Sequence, residues 1–303
     1  MVERSESLES MLLAWADEGL RDLPWRRTRD PWAVLVSETM LQQTQVDRVV
    51  DRWVVFLERF PDPATCATEP AAEILREWAG LGYNRRALML HRAAQAIHER
   101  HGGVVPSDLD SLRALPGVGP YTARAVRAFA FELASAPVDT NIGRVLARVT
   151  GRRLAPREAQ QIADDLVPAG RVWQWNQAIM ELGALVCTKR SPGCASCPVA
   201  SGCTWLGSGP DPADGSAGVS RRQAAFEGSD RQLRGRVIDV LRRGPQIAAA
   251  FAATVAPDDA DRGIRVIDGL VADGLVERHD DLLRLPGDAQ SGPVSAPRSA
   301  SIA

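Results

Sequence analysis

Four of the five cysteines lie within 17 residues, and their spacing constrains the fold more than any other feature of the sequence. They form a C-x6-C-x2-C-x5-C pattern made by Cys187, Cys194, Cys197 and Cys203. Four thiols on one short loop can bind an iron–sulfur cube or a zinc ion. In a reducing compartment, such a cluster indicates a metal site rather than disulfides. The pattern predicts a metal-binding loop, and it leaves the choice between the two metals open.

The composition is that of a globular chain. Its 303 residues are 45% hydrophobic and carry a formal net charge of -2, so any contact with nucleic acid must come from local patches. No apolar run approaches the roughly 18 residues of a membrane span, and no apolar segment follows the polar start. We expect a soluble, cytoplasmic monomer, associated with the nucleoid if it binds DNA, and no membrane partner.

The chain divides into four parts by pattern. Residues 1–205 have almost only helical apolar spacing, which predicts an all-α domain that includes the cysteine loop. Residues 206–228 are rich in Gly, Ser, Pro and Asp and predict a flexible linker. Residues 229–287 predict three helices and a hairpin, a pattern typical of a winged helix, whose arginine-rich first helix could contact the phosphates of a nucleic acid. Residues 288–303 are predicted to be a disordered tail.

A glycine-rich turn before a helix is the first candidate binding site. In "LPGVGPYTARAV", Gly117 and Gly119 flank Val118, and a helix is predicted from about Tyr121. The backbone N–H groups at such a helix start, up to Thr122, can bind a phosphate, which would recognise a nucleic-acid backbone without reading its sequence. An ordinary turn between two helices is the alternative.

Two carboxylates are the candidate catalytic groups. Glu38 lies in "SETMLQQTQV", a polar insertion in an apolar helix, and Asp139 precedes the helix of "VDTNIGRVLAR". Taken alone, Asp139 fits an N-cap, and a single acid on a helix is usually solvated. Together, in a helical frame that also binds phosphate, two acids indicate work on a sugar–base bond.

These motifs resemble, in order, the helix-hairpin-helix DNA glycosylases with an iron–sulfur loop, and among them the MutY adenine glycosylases. The resemblance covers residues 8–205 and rests on "LPWR", "SETMLQQTQV", "GLGYNRRA", "LPGVGPYTA" and the four cysteines. It implies two helical subdomains that flank a DNA-binding cleft and a [4Fe-4S] cluster on the four cysteines. It also implies a partner, double-stranded DNA with adenine opposite 8-oxoguanine or guanine.

The resemblance also implies roles for the matching residues. Glu38 would protonate the flipped adenine, at N7, and Asp139 would stabilise the oxocarbenium-like sugar, with Asn141 and Tyr121 beside it. The remaining implied roles are an adenine pocket of Trp25, Arg26 and Gln177, a wedge of Leu41 and Gln43, and phosphate contacts from Lys189 and Arg190.

The chemistry of adenine release needs groups of these kinds. Adenine leaves poorly until a ring nitrogen is protonated, which requires an acid that burial keeps neutral. The positive charge that develops on the sugar requires a fixed carboxylate. A base inside a duplex must be flipped out, and a side chain must fill the gap, which one helix carrying Glu38, Leu41 and Gln43 can supply.

The sequence departs from the family in two respects. Thr140 and Gly143 stand where many members carry glycine and a basic residue. The usual C-terminal domain, related to pyrophosphatases that hydrolyse oxidised nucleotides, is not recognisable, and the winged-helix-like part takes its place.

Three alternatives follow from the same motifs. A bifunctional endonuclease would need a nucleophilic lysine in the hairpin, where this chain has Tyr121, and its only lysine is Lys189. A thymine glycosylase for T·G mismatches would share Tyr121 and the cluster, but it fits Glu38 poorly. A non-catalytic winged-helix regulator would not need the two carboxylates.

Overall fold

The computed structural model describes residues 7–216 and 225–288, and most of them are helical. Within this part, the α-helices are α1 Leu8–Asp17, α2 Pro31–Leu41, α3 Val46–Arg59, α4 Pro63–Thr68, α5 Ala71–Glu77, α6 Arg85–His101, α7 Leu109–Ala114, α8 Pro120–Phe129, α9 Thr140–Thr150, α10 Pro156–Asp165, α11 Val172–Glu181, α12 Asp230–Leu241, α13 Ala248–Val255 and α14 Ala260–Ala272. No helix of the described ranges is long and apolar enough to cross a membrane.

Local signals set several of these boundaries. Ser7 caps α1 through its side chain, which accepts a hydrogen bond from the backbone N–H of Ser10. Gly102 directly follows α6 and Gly151 directly follows α9, and both glycines adopt the left-handed conformation that stops a helix. The sequence predicts one helix from Val172 to Val186, whereas the structure has α11 followed by a π-helical turn, Leu182–Val186.

The chain forms two compact units, each built from separate stretches of sequence. Of the described residues, unit 1 comprises 7–38, 105–114 and 118–216, and unit 2 comprises 39–104, 115–117 and 225–288. In unit 1, α1, α9 and α11 contribute to one apolar core that includes Leu12, Leu146, Trp175 and Leu182. In unit 2, Phe56 packs edge-on against Trp78, and both are fully buried.

The C-terminal part of unit 2 has the predicted three helices α12 to α14 and the predicted hairpin. The hairpin strands are β2, Glu277–His279, and β3, Leu282–Arg284. A two-residue strand that the sequence did not indicate, β1 Gln246–Ile247, pairs antiparallel with β3 and gives the order β1-β3-β2.

The C-terminal part packs against the helices of residues 39–104. Ala72 N–H donates to the carbonyl of Pro286 at 2.9 Å. Arg242 donates from Nε to the carbonyl of Leu75 at 2.9 Å and from Nη2 to Asn84 Oδ1 at 2.8 Å. Arg242, which directly follows α12, is therefore engaged in packing, whereas the sequence favoured a phosphate contact.

Residues 206–216, which their composition predicts as the start of a linker, pack on unit 1. Asp211 accepts hydrogen bonds from Arg148, Ala213 is buried, and Ser216 Oγ accepts from Leu154 N–H at 3.0 Å. Residues 217–224 of the predicted linker lie outside the described residues. The same holds for the predicted tail apart from Asp288, whose carboxylate pairs with Arg76 at 2.6 Å.

Candidate active site

Glu38 and Tyr121 form a buried pair in unit 1. Glu38 lies on α2 with 6% of its surface exposed, and the Tyr121 hydroxyl donates a hydrogen bond to its carboxyl group. Burial and, to a smaller extent, the nearby charge of Asp139 raise the pKa of Glu38 to about 7, although the Tyr121 hydrogen bond opposes the rise. Burial and the charge of Glu38 keep the pKa of Tyr121 well above 10, so the phenol remains a neutral donor. Glu38 can therefore carry a proton at neutral pH.

Asp139 is both the N-cap of α9 and an electrostatic neighbour of Glu38. Its Oδ1 accepts from the backbone N–H groups of Asn141 at 2.9 Å and Ile142 at 2.7 Å. Its Oδ2 accepts from the Asn141 side-chain amide at 3.1 Å. Burial raises its pKa, and these hydrogen bonds and Arg144 oppose the rise. Three hydrogen-bond donors stabilise the charged form of Asp139. Of the two acids, Asp139 is therefore more readily ionised, and Glu38 is better suited to carry and donate a proton.

Arg144 fixes Asn141 from the opposite side. Its Nη2 donates to Asn141 Oδ1 at 2.8 Å and to the carbonyl of Gly183, in the π-helical turn, at 2.6 Å. Its Nε donates to the carbonyl of Cys187 at 2.7 Å. One buried arginine therefore connects Asn141 to the start of the cysteine loop. Nothing in the sequence pattern singled this residue out.

The two residues at which the sequence departs from the family pattern lie in the first turn of α9. Thr140 is exposed, and its carbonyl accepts from Arg144 at 3.3 Å. Gly143 is buried, and its N–H donates to the Asp139 carbonyl at 2.9 Å. Neither substitution interrupts the cap that Asp139 forms.

The structure brings two of the predicted pocket residues together. Arg26 Nε donates to Gln177 Oε1 at 2.8 Å, and Trp25 beside it in sequence is buried. Arg26 also pairs with Glu181 at 2.8 Å, and Arg21 pairs with the same carboxylate at 2.7 Å. Burial alone would raise the pKa of Glu181, but the two arginines lower it to about 2.

Glu181 was not predicted from the sequence as a residue of the site. Its signal is its position one helical turn after Gln177, on the same face of α11. As a buried, permanently charged carboxylate it fixes Arg26, and through Arg26 it fixes Gln177.

The predicted wedge residues lie in unit 2. Leu41 ends α2, and Gln43 adopts a left-handed backbone with φ of 56°. Arg86 holds this turn: its guanidinium donates to the carbonyls of Thr39 at 2.8 Å and Met40 at 3.0 Å, and to that of Gln42. Burial lowers the pKa of Arg86 to about 10, against the influence of Tyr83, which leaves it charged at neutral pH.

The hairpin has the features of a backbone-recognition turn. Gly117 has φ of 75°, and a Cβ there would lie 2.5 Å from Cβ of Met89, so no larger residue fits. Gly119 is the N-cap of α8 and Pro120 its first residue. The side chains of Val118 and Thr122 are buried, so any phosphate contact by these residues would come from their backbone.

The four predicted metal ligands line one cavity of unit 1. Apolar side chains, among them Val186, Trp205 and Leu206, line the same cavity as Cys187, Cys194, Cys197 and Cys203. Arg148 donates to Cys187 Sγ at 3.3 Å and pairs with Asp211 at 2.6 Å.

The donor set is four thiols in a cavity whose other lining residues, apart from Arg148, are mostly apolar. Among the described residues, no group of His, Cys, Asp or Glu is arranged to hold a single metal ion. The buried indole N–H of Trp205 has no hydrogen-bond acceptor in the part of the chain that the structure describes. Four sulfur donors on one loop are a ligand set that fits an iron–sulfur cluster. Lys189 and Arg190 are exposed on the same loop.

Comparison with known proteins identifies the family. Residues 36–169 match the model of the HhH-GPD superfamily of base excision DNA repair proteins. The chain is 44% identical over 289 residues to the adenine DNA glycosylase of Mycolicibacterium smegmatis, a match that covers 93% of this chain and 97% of that protein. The chain belongs to the adenine DNA glycosylases of this superfamily.

A further relative has the same name, and a solved structure of a different DNA glycosylase shares the fold. The human adenine DNA glycosylase is 41% identical over 207 residues, which cover 63% of this chain and 38% of that protein. A solved thermostable thymine-DNA glycosylase is 31% identical with a TM-score of 0.63, over 66% of this chain and 94% of that one. The helical fold and the helix-hairpin-helix family predicted from the sequence are confirmed.

Proposed function

We propose that this adenine DNA glycosylase removes adenine mispaired with 8-oxoguanine or guanine, by a monofunctional mechanism. One observation carries the proposal: Glu38 is a buried acid with a pKa of about 7, next to Asp139, a carboxylate held by three hydrogen bonds. The relatives named adenine DNA glycosylase support adenine as the base.

Glu38 gives its proton to N7 of the flipped adenine. The bond between N9 and C1′ then breaks, and its electron pair leaves with the base. Asp139 stabilises the positive charge that develops on the sugar, because Asn141 and the first N–H groups of α9 hold its carboxylate in place. Water adds to C1′ and its proton returns to Glu38. Tyr121 orients Glu38 by the hydrogen bond that its phenol donates.

Specificity comes from two groups of residues. Trp25, Arg26 and Gln177 line the adenine pocket, supported by the hydrogen bond between Arg26 and Gln177. Leu41 and Gln43 fill the gap left by the flipped base, and Gln43 reaches the base opposite. The backbone of Gly117, Val118, Gly119 and Thr122 contacts the DNA phosphates.

The four cysteines bind a [4Fe-4S] cluster. Bound there, the cluster would give rigidity to a loop whose positive charge comes from Lys189 and Arg190, which it would present to phosphates. Base removal requires no step at the cluster. Protein purified without oxygen should contain four irons and four sulfides per chain, and stoichiometric zinc without iron would overturn the assignment.

The test of function is incubation with DNA followed by hot alkali, which cuts a strand only where a base has been removed. Duplexes with A·8-oxoguanine, A·G and T·G are compared side by side. Adenine release from the first two supports the proposal. Release of thymine alone would support the thymine glycosylase that the 31% identical structure represents, and binding without any cut would indicate a non-catalytic DNA-binding protein. We propose that the protein acts as a monomer in the cytoplasm, on the nucleoid.

A further inference from the structure

Tyr83 of unit 2 is an exposed aromatic residue in a constrained backbone. It has φ of 49°, which is uncommon for a residue with a side chain, and it follows Gly82 with φ of 70°. Its side chain stands 37% exposed. A fixed conformation of this kind persists where the surroundings determine it and marks a candidate functional position.

Two arginines hold the Tyr83 ring. The guanidinium carbon of Arg86 lies 5.2 Å from the ring centroid, and that of Arg231, on α12 of the C-terminal part, lies 5.7 Å from it. Arg231 Nη1 also donates to the Tyr83 hydroxyl at 2.9 Å, and its guanidinium carbon lies 5.1 Å from the Phe226 ring. The C-terminal part therefore reaches Tyr83 directly.

Arg86 connects the same ring to the turn that carries Gln43. Its Nη1 donates to the carbonyls of Thr39, Met40 and Gln42, and its Nη2 donates to Thr44 Oγ1 at 2.9 Å. Gln43 and Tyr83, both left-handed, are thus fixed to one guanidinium group. A displacement of the ring would therefore shift Arg86 and, through its hydrogen bonds, residues 39–44, which we call the wedge turn.

The charge of the C-terminal part argues against a role in attracting DNA. Residues 229–287 contain nine arginines and ten carboxylates. At least two further arginines are paired inside this part, Arg234 with Asp273 and Arg262 with Asp230. The part as a whole is nearly neutral, and a contribution to recognition that does not depend on a strongly basic surface is consistent with this balance.

We propose that Arg231 is a positioning residue, through which the C-terminal part holds Tyr83, Arg86 and the wedge turn ready to enter the duplex. This inference rests on the proposed function of Gln43. Its physical basis is conformational entropy: a turn that is already ordered loses less freedom when it inserts into DNA. Arg231 thus gives the C-terminal part a role in recognising the mismatch without a phosphate contact of its own.

The test compares Arg231→Ala, Tyr83→Ala, the double variant and Arg265→Ala. Arg265 is an exposed arginine of α14 in the same C-terminal part, so its variant controls for the lost charge. Affinity is measured across about 50–200 mM salt on a duplex with 2′-fluoro-deoxyadenosine, which resists cleavage, opposite 8-oxoguanine. An undamaged duplex measures non-specific binding.

Arg231→Ala should weaken specific binding about three- to tenfold, the effect of one cation–π contact and one exposed hydrogen bond, with an unchanged salt slope. The double variant should bind no more weakly than Tyr83→Ala, because Arg231 acts through that ring. Tyr83→Phe, which loses only the hydroxyl acceptor, should fall between wild type and Arg231→Ala. A slope reduced by about one counterion, or effects that multiply in the double variant, would make Arg231 a phosphate contact and overturn the inference.

Amide hydrogen exchange of the free protein separates this inference from the proposed function. Arg231→Ala should speed exchange in residues 39–45 and 80–86, and Arg265→Ala should not. If Arg231→Ala speeds exchange in both segments but the wild type releases no adenine, the proposed function fails and the coupling stands. If exchange in both segments is unchanged in Arg231→Ala, the coupling fails whatever the enzyme's activity.

Discussion

Replacing Glu38 by glutamine should abolish most base removal and stabilise the fold at the same time. The amide keeps the shape of the side chain and its contact with Tyr121, but it has no proton to donate. Losing a general acid typically costs about 10²–10⁴-fold, and adenine is so poor a leaving group that we expect at least the upper part of this range. Binding to the mismatched duplex should change little.

The stability gain follows from the pKa of Glu38, about 7 in the folded protein against an ordinary value of 4.5. Below pH 4.5 the carboxyl is protonated in both the folded and the unfolded chain, so it adds no pH-dependent cost. Between pH 4.5 and 7 the unfolded chain releases the proton and the folded chain keeps it, so stability falls as pH rises. Above pH 7 the full cost is present, about 3 kcal/mol at about 1.4 kcal/mol per pKa unit.

Two measurements test this reasoning. Urea denaturation of Glu38→Gln and wild type at pH 5 and pH 8 should give a larger gain in unfolding free energy at pH 8. Glu99→Gln, at an exposed position of α6, is the matched control and should change neither stability nor activity. In wild type, single-turnover excision should fall about tenfold from pH 6 to pH 8, as the protonated fraction of Glu38 falls from about nine-tenths to one-tenth. A near-native rate for Glu38→Gln, or excision that stays constant up to pH 9, would remove Glu38 from the mechanism.

Three further predictions concern its surroundings. Gly183→Ala would place a Cβ 2.7 Å from Cβ of Asn141, so Asn141 must shift. Single-turnover excision should then fall at least tenfold, with an unchanged iron content. An unchanged rate would show that the position of Asn141 does not control the active site. Arg148→Ala leaves Asp211 and several carbonyls of the cysteine loop without their hydrogen-bond donor. It should lower the unfolding free energy measured in urea by about 3 kcal/mol and reduce the iron bound per chain. Wild-type values for both measurements would contradict the packing argument. Borohydride should trap no covalent complex with DNA, because Tyr121 has no amine to form an imine; strong trapping seen on a denaturing gel would refute the monofunctional mechanism.

The elements of the catalytic unit were largely predictable because their signals are local. Each signal involves only a few neighbouring residues: the apolar spacing, the cap at Asp139 and the glycines after helices. The structure places α9 and the hairpin helix α8 where these signals indicate. The four cysteines were equally local, since their spacing alone brings them to one loop.

The supporting residues were not predictable because each depends on a partner distant in sequence. Glu181 is bound by Arg21, 160 residues away, and Arg148 is bound by Asp211, 63 residues away. The second pair also explains the segment at 206–216: its Gly, Pro and Asp content is that of a linker, but the carboxylate of Asp211 completes a buried guanidinium. The composition of such a segment shows its low apolar content, but it does not show which distant residue binds and orders it.

Helix α9 joins the proposed chemistry to the proposed cofactor site in a single rigid element. Its N-cap is Asp139, and one and two turns later Arg144 and Arg148 both donate to the carbonyl of Cys187. Arg144 also holds Asn141, which in turn holds Asp139. Because a buried arginine with several acceptors has few alternative positions, a loop that moves at Cys187 withdraws an acceptor from the group that orients Asn141. The folding of the cysteine loop therefore bears on the carboxylate geometry of the active site, although no reacting group lies on that loop.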